Sequence, residues 1–199
     1  MTATWRRGTI RADATPPPGL VLKLGGSLLG LPDWPRVLAD LVASLGDEPP
    51  APLLVVGGGR VVDGLREIDA ASPRPPALMH DLAIDAMTLT ARIVADALGL
   101  PFISLPDITL ASAAGVLDAA AWLDSTGRAT RLPAGWHVTS DSIAALVATE
   151  TGRGLLLAKR APPPDGDHDL HRLAAAGWVD AHFPVAAARI ATITWAAPA

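Results

Sequence analysis

Residues 19–27 read Gly19-Leu20-Val21-Leu22-Lys23-Leu24-Gly25-Gly26-Ser27, an apolar run that carries one lysine and breaks at two glycines. A short run of this kind, bounded by turn residues, is the pattern of a strand buried on both faces. Pro16-Pro17-Pro18 stops any element before it, and residues 1–18 read as a flexible tail. Further on, Pro52-Leu53-Leu54-Val55-Val56 repeats the pattern and ends in Gly57-Gly58-Gly59. Between the two runs, residues 34–45 place Val37, Leu38, Leu41, Val42 and Leu45 at helical spacing, after Pro32-Asp33 and before Gly46. A strand, a glycine turn, a helix and a second strand thus open the fold.

The alternation continues along the chain. A helix is expected over about 61–70 and, past a linker holding Pro73, Pro75 and Pro76, a long alanine-rich helix over 80–98 closed by Gly99. Pro101-Phe102-Ile103-Ser104-Leu105 reads as a third strand, and 109–122 as mixed structure with one short helix. Thr139-Ser140 supply cap residues for a helix over 141–149, and Gly154-Leu155-Leu156-Leu157-Ala158-Lys159 is another buried strand. The remainder is weakly patterned, with an exposed loop at Pro162-Pro163-Pro164-Asp165-Gly166-Asp167. Apolar strands alternating with helices predict an α/β three-layer sandwich, a mostly parallel open sheet with helices on both faces, as one domain over 19–199. Ligands bind such sheets at the carboxyl ends of the strands.

Both glycine turns lie at such ends. A phosphate requires backbone N–H groups aimed at it, unhindered approach and a nearby cation. Lys23, two residues before Gly25, projects to the same side of the sheet as that glycine, and Ser27 adds a hydroxyl. Of the 16 Lys and Arg residues only Lys23 and Lys159 are lysines, and both end apolar strand-like runs. Two positions in an arginine-rich chain therefore use a compact, flexible point charge instead of a planar fork. A Walker sequence places its lysine after the glycines, and Gly57-Gly58-Gly59-Arg60-Val61-Val62 lacks the third glycine of a dinucleotide fingerprint, so neither known site is supported.

Composition narrows the remaining classes. The net charge of −4, with no basic cluster, argues against a nucleic-acid partner and for a small molecule. Every apolar stretch is interrupted before the roughly 20 residues that span a bilayer, so no membrane is expected. The chain has no cysteine, hence no disulfide framework or thiolate metal site, and the opening segment lacks the apolar middle of a signal peptide; a cytoplasmic protein is expected. His168 and His171, flanked by Asp167 and Asp169, have a metal-like spacing, but their loop offers no further organised ligand, and no protein-held metal is expected.

Lys23-Leu24-Gly25-Gly26-Ser27, the strand ending in Gly57-Gly58-Gly59, and Thr139-Ser140-Asp141-Ser142-Ile143-Ala144-Ala145 occur in that order, and together they resemble the amino acid kinase superfamily. That group includes aspartate, acetylglutamate, uridylate and isopentenyl phosphate kinases. Within it the likeness is greatest to the kinase of methanofuran biosynthesis that phosphorylates 5-(aminomethyl)-3-furanmethanol phosphate to the diphosphate. Gly57 to Gly59 with Asp63, Arg66 and Asp69 carry that likeness, as do His80 with Ala83 and Ala86-Met87, residues 132–145, and Gly177-Trp178-Val179-Asp180-Ala181-His182-Phe183-Pro184.

The resemblance implies an ATP-dependent phosphotransferase that is a homo-oligomer, with magnesium carried chiefly by ATP. It implies Lys23 on the transferred phosphoryl group, Gly25, Gly26, Ser27 and Ser140 on the nucleotide, and Lys159 on the ATP side. Asp141, which by itself reads as an ordinary first-turn helix carboxylate, would hold the lysines in place. Gly57, Gly58 and Gly59 would cradle the acceptor or the transferred phosphate, Arg60 would pair with an acceptor phosphate, and His80, opening its helix, would donate a hydrogen bond to substrate. Two other readings stand beside the phosphate-ester kinase: a nucleotide-binding or storage protein of the same fold without turnover, and a kinase of a carboxylate acceptor. A Rossmann oxidoreductase is disfavoured by the missing glycine pattern.

Overall fold

The apolar runs of the sequence form the middle of a seven-stranded sheet. In the computed structural model, which describes residues 3–12, 17–46, 50–104, 114–125, 127–164 and 168–199, the strands are β1 (Trp5–Arg11), β2 (Leu20–Leu24), β3 (Leu53–Val56), β4 (Phe102–Ile103), β5 (Gly115–Leu117), β6 (Gly154–Ala158) and β7 (Ile193–Pro198). Their order across the sheet is β1-β7-β6-β2-β3-β5-β4, parallel except for β1, which runs antiparallel to β7. The helices are α1 (Trp34–Ala43), α2 (Gly59–Ala71), α3 (Pro76–Leu98), α4 (Ala119–Asp124), α5 (Ser140–Thr151), α6 (Leu170–Ala175) and α7 (Phe183–Ala186).

The pleat divides the apolar residues between two cores. Val21, Leu53, Val55, Leu155 and Leu157 point to the face that holds α5, where they pack with Ile143, Ala144, Val147 and Phe183. Leu22, Leu24, Leu54, Val56, Leu156 and Ala158 point to the opposite face, against Leu38 and Leu41 of α1 and Ala91 and Val94 of α3. Strands buried on both faces lack the polar alternation of half-exposed ones, which is why they read as continuous apolar runs. From β2 the chain moves one way to β3 and β5, and the other way to β6 and β7, so the order reverses around β2. A crevice at the carboxyl end of such a switch point is where open α/β sheets take ligands.

Several expectations need correction. Residues 5–11 are not part of a flexible tail but the edge strand β1, antiparallel to β7. Its arginines, with Gly8 lying against the Trp195 ring, hide the strand pattern while suiting an exposed edge. Helix α3 begins at Pro76 rather than His80, because proline is accommodated in a first helical turn. Strand β4 is confined to Phe102–Ile103, and Leu105 lies outside the described residues. The mixed stretch resolves into β5 and α4, with 109–113 outside the described residues. The weakly patterned remainder contains α6, α7 and β7; of the 162–167 loop, 165–167 lie outside the described residues.

Candidate active site

Strand register places the two lysines. Lys23 pairs across the sheet with Val55 on one side and Leu157 on the other, both of which face α5, so Lys23 faces α5 as well. Lys159, two residues beyond Leu157 at the end of the neighbouring strand, reaches the same region. Helix α5 starts there, capped by Thr139, and Asp141 lies in its first turn. The Asp141 carboxylate bridges the lysines: Lys23 Nζ contacts Oδ1 at 2.8 Å, and Lys159 Nζ donates a 2.8 Å hydrogen bond to Oδ2. All three side chains are largely or wholly buried.

The electrostatics follow from this burial. Burial alone would raise the Asp141 pKa, but the Lys23 and Lys159 ammonium groups outweigh it and bring the carboxyl down to about 2. Lys159 is lowered to about 8, first by burial and then by the Lys23 ammonium, against the opposing pull of Asp141 and Asp180. Near neutral pH two cations thus share one carboxylate, leaving one positive charge at the strand ends. That arrangement suits a bound anion, whose negative charge would balance the excess ammonium.

The two glycine turns meet beside this trio. A Cβ on Gly26 would collide with the Gly59 amide, and one on Gly59 would lie 2.6 Å from the Gly26 carbonyl oxygen, so the turns pack backbone to backbone. A Cβ on Gly57 would lie 2.7 Å from Ser140 Oγ, which ties the second turn to the start of α5. Gly59 has φ of +52° at the start of α2, a conformation that costs a glycine little. The Gly25 amide donates to the Ala158 carbonyl at 2.8 Å and the Gly57 amide to Leu24 at 2.9 Å. Those two N–H groups are engaged in holding the turns, so what Gly25 offers a ligand is close approach: its Cβ would lie 3.7 Å from Lys23 Nζ.

A cavity of about 320 Å³ opens against the turns, lined in part by Gly26, Ser27, Gly57 to Gly59, Arg60, His80 and Ser140. Lys23, Asp141 and Lys159 do not line it, but Ser140 and Arg160, next to Asp141 and Lys159 in the chain, do. His80 is buried in the second turn of α3, not at its opening. Burial lowers its pKa, against a hydrogen bond to the Gly135 backbone and the Asp81 charge, so the imidazole is neutral at neutral pH. Arg66, readable from the sequence as a further cation beyond the second glycine turn, lines the wall, while two wall residues escaped the sequence reading of roles: Trp136 and Arg160. Trp136 Nε1 donates to Asp69 at 2.8 Å, while the Arg66 guanidinium lies 5.1 Å from the centre of the Trp136 ring and pairs with Asp63 at 3.0 Å. Arg160 directly follows Lys159, a position from which its place could have been read; Trp136 and Arg66 meet only through the tertiary packing of α2 on the 132–139 loop.

Asp180 also escaped. It accepts hydrogen bonds from Thr139 N (3.0 Å), Thr139 Oγ1 (2.9 Å), Ser142 N (2.9 Å), Ser142 Oγ (2.6 Å) and His182 N (3.1 Å). No periodicity marks it, because it lies in an irregular turn.

The model of the amino acid kinase family matches residues 19–159, well over half of the chain. The chain belongs to the amino acid kinase family. It is accordingly a phosphotransferase of a family of ATP-dependent kinases, which generally use ATP with magnesium. Among solved structures, UMP kinase from Ureaplasma parvum superposes with a TM-score of 0.57 at 15% identity, covering 86% of this chain and 84% of that one. UMP kinase from Bacillus anthracis gives 0.56 at 15% identity, covering 79% and 72%. At that identity the likeness establishes the fold. None of the curated proteins matches significantly. Among the described residues no helix is long and apolar enough to cross a membrane, and no three His, Asp or Glu side chains cluster as metal ligands.

Proposed function

We propose that the protein transfers the γ-phosphoryl group of ATP to a small phosphate monoester, giving a diphosphate in a methanofuran-type cofactor pathway. The observation that carries the reading is the buried Lys23–Asp141–Lys159 trio at the ends of β2 and β6, beside two glycine turns too tightly packed for any side chain. Phosphoryl transfer asks a protein to align donor and acceptor and to neutralise charge on the moving group. Lys23, buried over Gly25, is placed for the transferred group, and Lys159 for the nucleotide phosphates, with Gly26, Ser27 and Ser140 allowing close approach. Asp141 keeps the ammonium groups together before substrate arrives. When bound, magnesium ATP supplies the phosphoryl group and further charge neutralisation.

The cavity supports an anionic acceptor. Among the described residues, its wall holds Arg60, Arg66 and Arg160 against a single carboxylate, Asp63, which is paired with Arg66. Arg60 and Arg160 both approach Gly30, near 4 Å from where its Cβ would be, so two guanidinium groups converge at the mouth. Neutral His80 is available to hydrogen-bond an uncharged part of the acceptor.

The test is ADP release with a panel of phosphomonoesters, namely aminomethylfuran methanol phosphate, isopentenyl phosphate and UMP, set against aspartate, glutamate and acetylglutamate. Turnover confined to the carboxylates overturns the acceptor assignment; no calorimetric magnesium ATP signal from folded protein overturns the kinase itself. The reading also includes a cytoplasmic homo-oligomer. Leu78, Leu82, Leu89 and Ile93 are exposed along one side of α3, a surface a second copy would cover. Sedimentation equilibrium checks this, a monomer mass at every concentration being the contrary result.

A further inference from the structure

Residues 177–183 lie beside the Lys23–Asp141–Lys159 trio without belonging to the glycine or lysine sequences. Two of their side chains reach the buried trio by different routes. Asp180 takes both hydrogen-bond donors of Thr139, the cap of α5, and both donors of Ser142 in its first turn, so Asp141 sits between two residues tied to one carboxylate. Trp178 places its ring 5.0 Å from Lys159 Nζ, measured to the ring centre. The indole cannot swing freely, since its Nε1 donates to the Ala161 carbonyl at 3.1 Å just past the lysine. An aromatic face beside a partly desolvated ammonium is attractive and favours one lysine rotamer over others.

We infer that residues 178–180 are a positioning strap: Asp180 fixes the start of α5, which carries Ser140 and Asp141, Trp178 fixes the Lys159 ammonium, and the strap thereby sets how strongly Lys159 engages a nucleotide. The inference rests on the nucleotide reading of the trio for its consequence, but not for its geometry. Among the described residues, the charged groups around Lys159 are Lys23 from β2, Asp141 from α5, Asp180 from the strap and Arg160 next in the chain. Of these, Asp180 favours the charged form of Lys159, although less than Asp141 does.

The chain permits a direct test, because Lys23 and Lys159 are its only lysines. Protein labelled with 13C at lysine Cε gives one signal from each, and a pH titration reads both ammonium groups without any ligand. Asp180→Asn should move the Lys159 midpoint to lower pH, whereas Ser142→Ala, which removes a hydrogen bond but keeps the Asp180 charge, should lower the melting temperature and leave that midpoint in place. Trp178→Leu should weaken magnesium ATP binding by roughly three- to tenfold, with Trp178→Phe recovering most of the loss because a ring face is restored. An Asp180→Asn midpoint equal to wild type, or equal ATP affinities for the Leu and Phe variants of Trp178, overturns the strap. Wild-type protein that binds no magnesium ATP overturns the kinase reading instead, while the lysine titration still reports on Asp180; the Trp178 pair remains decisive if Asp180→Asn does not fold.

Discussion

Asp141 is the residue on which the site turns. As an ordinary first-turn carboxylate it would contribute well under about 1 kcal/mol through the helix dipole. As the sole bridge between two buried lysines it does far more: Asp141→Asn leaves both ammonium groups short of a counter-charge, a loss of about 3–5 kcal/mol by analogy with broken buried pairs. The variant should turn over at roughly one hundredth of the wild-type rate or less. Magnesium ATP should raise its melting temperature more than it raises that of wild type, since the phosphates supply the missing charge. Unchanged turnover with a loss below about 1 kcal/mol would restore the helix-dipole reading. Lys159 gives a second prediction. With its pKa at about 8, free enzyme loses this proton as pH rises through that value, so kcat/KM for ATP should decline above it. Stability should move the other way. The unfolded chain keeps the proton up to the ordinary 10.5, so across that window the unfolded state binds more protons and this group's contribution to stability rises with pH. Kinetics and thermal melts over the same window check both signs.

Among the elements, the paired glycine turns are the least replaceable. Gly26 and Gly59 touch through backbone atoms, so a methyl group on Gly26 must push the β2 turn away from the start of α2. Gly26→Ala should therefore separate the trio from the cavity that the second turn helps to line. The expected result is a loss of both ATP and acceptor affinity together with a lowered melting temperature, whereas Gly64→Ala, in α2 with open space around it, should stabilise by about 0.5–1 kcal/mol. Equal behaviour of the two variants in calorimetry and melting would show that the close approach is incidental. The elements carrying Lys23, the first glycines and Lys159 were legible in the sequence because buried parallel strands and strand-end glycines leave strong local signals. The start of α5 was legible to within one residue from Thr139 and Ser140.

For the whole molecule, the sheet closes its β7 side with β1, a strand the sequence does not announce. Its pairing with β7 covers an edge that borders β6, the strand that delivers Lys159. Removing it by deleting residues 1–11 should lower the melting temperature and promote association through the uncovered edge. Light scattering and thermal melting measure this; a variant as stable and monodisperse as wild type would mean that β1 merely lies on the surface.

By itself the sequence determined the α/β class, the central strands, both glycine turns and the two lysines, because each depends on residues close together in the chain: runs of buried apolar side chains, turn glycines and helix caps. Tertiary structure alone decided that Lys23 and Lys159 share one carboxylate, that Gly26 meets Gly59, that Trp136 and Arg66 wall a cavity, and that Asp180 ties down α5. Those contacts join segments far apart in sequence, and strand order and register, which only the folded sheet fixes, bring them within hydrogen-bonding distance.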